Sequence, residues 1–205
     1  MRRFSSRSIL GGLLVVVWLC HSAGAQQESE KAREKEAIDP KATTRVTLGS
    51  SSGTPGTSVV VPIYFTPAQG VEVGRLELNV NYVSANLTFT KLDAGVAAEM
   101  GRVDLHSEVK EDKNDKGIDT QALLITASFL SAEPPQKGIP PGLLGYLSLK
   151  ISENGRPASI SLRTAAEANQ LGTNKTLQNV RAFEGKVDVL APGSLPMVTC
   201  FFFAH

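Results

Sequence analysis

Three histidines are the obvious candidates for proton transfer in this chain, and two of them are badly placed for it. His21 sits in the N-terminal apolar stretch and His205 is the last residue, which leaves His106. A Ser-His-Asp or Cys-His arrangement around His106 would need partners brought together by the fold, and no nucleophile motif surrounds it. The 20 acidic residues offer pairs for glycoside hydrolysis, but the carboxylate separation that decides such chemistry is set by tertiary structure. Residues Glu111-Asp112-Lys113-Asn114-Asp115-Lys116-Gly117-Ile118-Asp119 have a superficial likeness to a calcium loop. With Asp112 in the first position, Lys116 occupies the fifth and Leu123 the twelfth, where oxygen ligands belong. The segment therefore reads as a solvated hairpin loop with Gly and Asn turn chemistry. We expect no catalytic residues, no metal site and no cofactor, and a protein that is not an enzyme.

Recognition is the chemistry better supported by residue pattern. In Arg75-Leu76-Glu77-Leu78-Asn79-Val80-Asn81-Tyr82 polar and apolar side chains alternate without a break, the signature of a strand with one core face and one wet face. Arg75, Glu77, Asn79 and Asn81 then form a strip that is either a solvated surface or a partner-binding face. A platform for stacking sugars needs exposed aromatic rings. The only tryptophan, Trp18, lies near the N-terminus; the tyrosines are Tyr64, Tyr82 and Tyr146, with Tyr82 on the apolar side. That shortage favours a protein partner over a polysaccharide.

The two ends of the chain bound where this recognition takes place. Arg2, Arg3 and Arg7 precede an apolar run from Ile9 to Leu19, and Ala23-Gly24-Ala25 supplies small residues for cleavage, so residues 1–25 read as a signal peptide with the mature chain starting at Gln26. The run is shorter than the roughly 20 residues a bilayer core requires; no stable membrane span is expected in the mature chain. Trp18 and Leu19 before Cys20 disfavour a lipoprotein, and Arg2-Arg3 alone is too little for twin-arginine export. The expected location is extracellular or periplasmic. Cleavage leaves 18 basic and 20 acidic residues, a net of −2, with no basic field for nucleic acid or an anionic membrane. It also leaves Cys200 as the one cysteine, so stability must come from a core.

Residues 26–43 are dense in Glu and Lys and poor in large apolar side chains, the composition of a flexible linker. From Thr44 the pattern changes to short apolar or alternating runs separated by Gly, Pro, Asn and Ser, as in an all-β sandwich. Nine strands are expected: 45–48, 58–65, 75–82, 87–92, 103–109, 122–130, 143–151, 158–163 and 185–190. Pro62 lacks a donor N–H, which predicts an unpaired edge or a bulge there. Pro134-Pro135 and Pro140-Pro141 flank a stiff insertion, and the Ala-rich segment 165–175 is read as including a helical turn. Residues 191–205 form a tail ending in Cys200-Phe201-Phe202-Phe203, a remnant strand or a sticky, thiol-linkable end.

Two stretches carry a family resemblance: Gly56-Thr57-Ser58-Val59-Val60-Val61-Pro62-Ile63-Tyr64-Phe65 and Gly142-Leu143-Leu144-Gly145-Tyr146-Leu147-Ser148-Leu149-Lys150-Ile151. Both resemble cohesin domains. The segment from Val73 to Leu92 and the closing Phe183-x-Gly185-x-Val187-x-Val189 are similar to cohesin segments in the same order, so the resemblance covers residues 44–190. It implies a nine-stranded jelly-roll β-sandwich, related in fold to some carbohydrate-binding modules, whose sheet face captures a calcium-bound dockerin. The resemblance also places Arg75 and Glu77 where dockerin-binding cohesins tend to have an Asn and an Asp. Arg for Asn changes both donor geometry and charge, which disfavours a standard dockerin.

The sequence therefore reads as a secreted, monovalent, cohesin-like binding module for a protein partner, one bearing a dockerin-like module being the first candidate. The alternatives are a polysaccharide-binding module of the same fold, with a place in polysaccharide catabolism, or a structural envelope or adhesion protein.

Overall fold

The computed structural model describes residues 39, 41–113, 116–130, 138–173 and 175–194. The expected signal peptide, most of the charged linker, the Pro134-Pro135 end of the expected insertion, Cys200 and the Phe-rich tail lie outside the described residues.

Strand β1 (Thr44–Leu48) leads through Gly49 into β2 (Ser50–Gly53), and β3 (Ser58–Thr66), β4 (Val73–Val83) and β5 (Leu87–Ala94) follow. A one-and-a-half-turn helix, α1 (Val96–Gly101), precedes β6 (Val103–Lys113), β7 (Asp119–Phe129), β8 (Gly142–Ile151), β9 (Ala158–Gln170), β10 (Val180–Phe183) and β11 (Gly185–Val189). Two sheets result, one ordered β10-β1-β3-β8-β5 and the other β2-β11-β9-β4-β7-β6. The architecture is an all-β sandwich.

Alternation decides which side chains enter the core. In β3, Val59, Val61, Ile63 and Phe65 point inward; in β4, Leu76, Leu78, Val80 and Tyr82 do. They meet Leu147, Leu149 and Ile151 of β8, Leu123 and Ile125 of β7, Leu162 of β9 and Val187 of β11 in one continuous cluster. Tyr82 keeps its hydroxyl satisfied by donating to Oε1 of Gln121 at 2.8 Å, the usual condition for burying a phenol.

The first and last strands each change sheet partway. β1 runs parallel to β10 in the five-stranded sheet, and β2 runs parallel to β11 in the six-stranded one. The crossings, at Gly49 and at Glu184-Gly185, lie against each other: a Cβ on Gly185 would fall 2.3 Å from the Gly49 carbonyl oxygen. Counting each broken pair as one bent strand reconciles the eleven segments with the nine strands expected of a jelly roll.

Three local expectations change. Pro62 lies in a central strand rather than at an edge, with β1 on one side and β8 on the other. Its carbonyl accepts from the N–H of Gly49 at 2.8 Å. A strand residue's N–H and C=O point the same way, so the missing donor faces the gap where β1 leaves the sheet; the register also shifts between Ile63 and Tyr64. Segment 165–170 is strand, not helical turn, because Thr164 to Asn169 form an unbroken antiparallel ladder with Arg75 to Val80. Tertiary pairing overrides the local preference of an Ala-rich run. Finally, α1 was not foreseen. It buries only Ala97 and Ala98 and stops at Arg102 in the left-handed region at φ 51°, too short to display a helical period.

β6 and β7 pair antiparallel up to Lys113 opposite Asp119; Asn114 and Asp115, in the segment read as a hairpin loop, lie outside the described residues. Among the described residues no helix is long and apolar enough to cross a membrane.

Candidate functional site

The outer face of the six-stranded sheet carries all four residues of the polar strip. Because β4 lies between β9 and β7, registers on both sides place the neighbours of each one. Arg75 has Asn169 on β9 and Ser128 on β7, with Asp104 beyond on β6. Glu77 lies between Glu167 and Thr126, with His106 beyond. Asn79 is flanked by Ala165 and Leu124, then Glu108, and Asn81 by Arg163 and Ala122, then Lys110. The four rows are about 7 Å apart along the strands and their members about 4.8 Å apart across them.

This mapping turns a one-strand strip into a surface with a distinct centre. Leu124, Ala122 and Ala165 surround Asn79 with short or apolar side chains, while charges occupy the two ends. Asn79 is half-buried, and its Oδ1 is shut off from solvent with no hydrogen-bond partner among the described residues. A carbonyl in that condition normally costs about 1–3 kcal/mol. Arg75 and Glu77 form an ion pair at 2.8 Å with both side chains well exposed; such pairs contribute little to stability. Glu77 lies directly across from Glu167, an unfavourable like-charge neighbour. His106 is exposed on β6 opposite Thr126.

At the far edge of the same sheet, Asp188 of β11 accepts from Lys186 at 2.8 Å and from the Ser159 hydroxyl at 2.6 Å. These two hydrogen bonds hold its carboxyl below the usual range. Where β9 parts from β4 beyond Arg163 to pair with β11, an open groove of about 560 Å³ runs between Asn81, Tyr82, Asn86, Ile160 and Arg163. Burial in the wall of this groove pushes Tyr82 up to about 12, a backbone hydrogen bond at Phe89 pulling the other way. Among the described residues no group of three or more His, Cys, Asp or Glu side chains converges as a metal site.

Sequence reasoning finds segments of all four strands but assigns only β4 to this face. It missed Leu124 and Ala122 because Ala122-Leu123-Leu124-Ile125 is apolar at every position and gives no sign of which side chains face out. Ala165, Glu167 and Asn169 were missed because their segment had been read as part of a turn. The one signal that could have recovered them is the Glu167-Ala168-Asn169 alternation.

Comparison with solved structures shows that this sandwich has the fold of cohesin domains. The third ScaC cohesin of Acetivibrio cellulolyticus, solved in complex with the ScaB dockerin, aligns with a TM-score of 0.55 at 22% identity over 73% of this chain and 100% of its own. A non-cellulosomal cohesin from the hyperthermophilic archaeon Archaeoglobus fulgidus aligns at TM-score 0.53 and 16% identity, over 74% and 94%. CaCohA2 of Clostridium acetobutylicum gives 0.51 at 19%, over 77% and 96%. No protein-family model and no curated protein sequence matches the chain. At these identities the likeness establishes the cohesin fold; function must be argued from the face itself.

Proposed function

We propose that this protein is an exported, non-catalytic binding module that captures a protein partner on the outer face of β9, β4, β7 and β6. The carrying observation is the centre of that face, where Asn79, with its carbonyl oxygen buried and unpaired, is ringed by Leu124, Ala122 and Ala165. A purely solvated sheet face has no need of an apolar centre, whereas an interface combines one with a charged rim. Turning the Asn79 amide outward on binding would let a partner donor satisfy an oxygen that is unpaired in the free face. Cohesins of this fold solved with dockerins bound support a partner bearing a dockerin-like calcium module. Arg75 and Glu77 belong to the rim and set which partner is accepted. Export rests on the basic start, apolar run and small-residue site of residues 1–25.

The test is affinity capture on the immobilised chain with calcium-loaded dockerin modules, with and without chelator, followed by titration of whatever is retained. Leu124→Arg should abolish capture by placing an unpaired charge at the centre. Arg75→Ala with Glu77→Ala should weaken it about tenfold or more while leaving the fold intact. Retention that survives Leu124→Arg, or that ignores both rim substitutions, would reject this face.

A further inference from the structure

The opposite face of the sandwich has a composition that the aromatic count did not anticipate. The outward side chains of β3 are Val60, Pro62 and Tyr64, flanked by Ser58 and Thr66 at the strand ends; Val60 is 49% and Tyr64 37% exposed. Tyr64 is opposite Thr47 of β1, and Thr47 is opposite Phe183 of β10, itself 37% exposed. Tyr146 of β8 lies opposite Pro62. Three rings and a proline thus share one flat sheet face, with Phe183 and Tyr64 two strands, or about 10 Å, apart. Tyr64 and Tyr146, counted as too few for a platform, acquire a third ring from Phe183, whose outward direction only the β10–β1 pairing reveals.

One row further along, Arg45 and Arg181 are side by side in the same ladder. Like charges directly opposite each other are destabilising, and among the described residues neither guanidinium is in an ion pair or a hydrogen bond. The Nε of Arg45 is buried without a partner. The other cations of the face are already matched, Lys91 by Asp93 at 2.9 Å and Lys150 by Glu153 at 3.4 Å. What remains is a local, unneutralised charge of two guanidiniums at the end of an aromatic row.

We propose that this face binds an anionic polysaccharide, with Arg45 and Arg181 holding the carboxylate of a uronic acid unit and Phe183, Tyr64 and Tyr146 receiving the faces of adjoining sugar rings. The fork of a guanidinium matches a planar carboxylate, and an aromatic ring offers an apolar surface to the C–H face of a pyranose. A linear chain suits the geometry because the strip is flat and spans about 20 Å from the arginine row to Val60, three steps of about 7 Å. This surface is separate from the protein-binding face, so either assignment can fail without the other.

The experiment is affinity gel electrophoresis of the full chain in gels containing polygalacturonate, and in matched gels containing fully methyl-esterified pectin, at low and moderate salt. Polygalacturonate should retard the protein, with weakening as salt rises, and the uncharged ester should bind at least tenfold more weakly. Arg45→Gln with Arg181→Gln, and separately Tyr64→Ala with Phe183→Ala, should each reduce retardation at least tenfold, while Met100→Ala, at an exposed and uncharged side chain of α1, leaves it unchanged. Arg181→Gln alone, at an exposed side chain, replaces the double variant if that one does not fold. No retardation, equal retardation by the ester, or retardation untouched by these substitutions would overturn the proposal. So would sedimentation showing that the face pairs with a second copy of the chain and that Tyr64→Ala disperses the pair.

Discussion

Replacing Gly185 by alanine tests the claim that the two sheet crossings fit together only because they carry no side chains. The added Cβ would meet the Gly49 carbonyl oxygen at 2.3 Å and the Cβ of Leu48 at 2.8 Å, well inside the roughly 3.5–4.0 Å at which carbon atoms pack favourably. Neither obstacle is the end of a flexible side chain. Relief therefore requires the β1–β2 crossing to move away from the β10–β11 crossing, which loosens parallel pairing in both sheets at once. Overpacking a core typically costs about 1–3 kcal/mol, and a backbone obstacle puts this substitution at the upper end, about 3 kcal/mol. At about 2–4 °C per kcal/mol for a domain of this size, the thermal midpoint should fall by about 6–12 °C. Urea unfolding followed by far-ultraviolet circular dichroism gives the free energy directly. Gly172→Ala is the control: nothing lies within 4 Å of its Cβ, and only its φ of +76° is strained, for about 1–2 kcal/mol. If Gly185→Ala unfolds at the wild-type urea midpoint, or costs less than Gly172→Ala, the steric account of the crossing is wrong.

Two further substitutions probe the core that positions both faces. Tyr82→Phe removes the hydrogen bond to Gln121 and should cost about 1 kcal/mol at neutral pH. The buried hydroxyl titrates near 12 in the folded chain and near 10 once unfolded. Wild-type stability from this group is therefore complete below pH 10 and is lost as pH rises towards 12; the variant should lose less over that interval, and parallel curves would refute the buried-phenol account. Leu147→Ala empties a site with no solvent exposure, between Val61 on β3 and Leu92 on β5. It should cost about 2–5 kcal/mol in the same urea assay, and a loss under about 1 kcal/mol would show that Leu147 is not central to the core.

The strands most legible in the sequence were those with one wet face, and β4 is the example: its polarity contrast named the four outward residues directly. Where both faces are apolar, periodicity loses its meaning. β3 reads as an unbroken apolar run, and only its neighbours decide that Val61 is buried while Val60 is exposed. The helical turn expected at 165–175 failed for a related reason, because alanine carries almost no facial preference and the ladder with β4 supplied the decision. The crossings at Gly49 and Gly185 were invisible because a close approach between residues 136 positions apart leaves no local trace in either segment.

Composition and alternation determined that this chain forms a β-sandwich, since period-two patterning and turn residues at short intervals admit few other ways to bury the apolar side chains. The clean alternation of β4 is also what first pointed to recognition, the function proposed above. Which residues share each proposed recognition surface was decided only by tertiary structure. Strand order brought Leu124 and Ala165 to either side of Asn79, and parallel pairing of β1 with β10 set Arg181 beside Arg45 and Phe183 in line with Tyr64. A face is a property of several strands in register, and register between distant segments is fixed by the packing of the shared core, not by any one of their sequences.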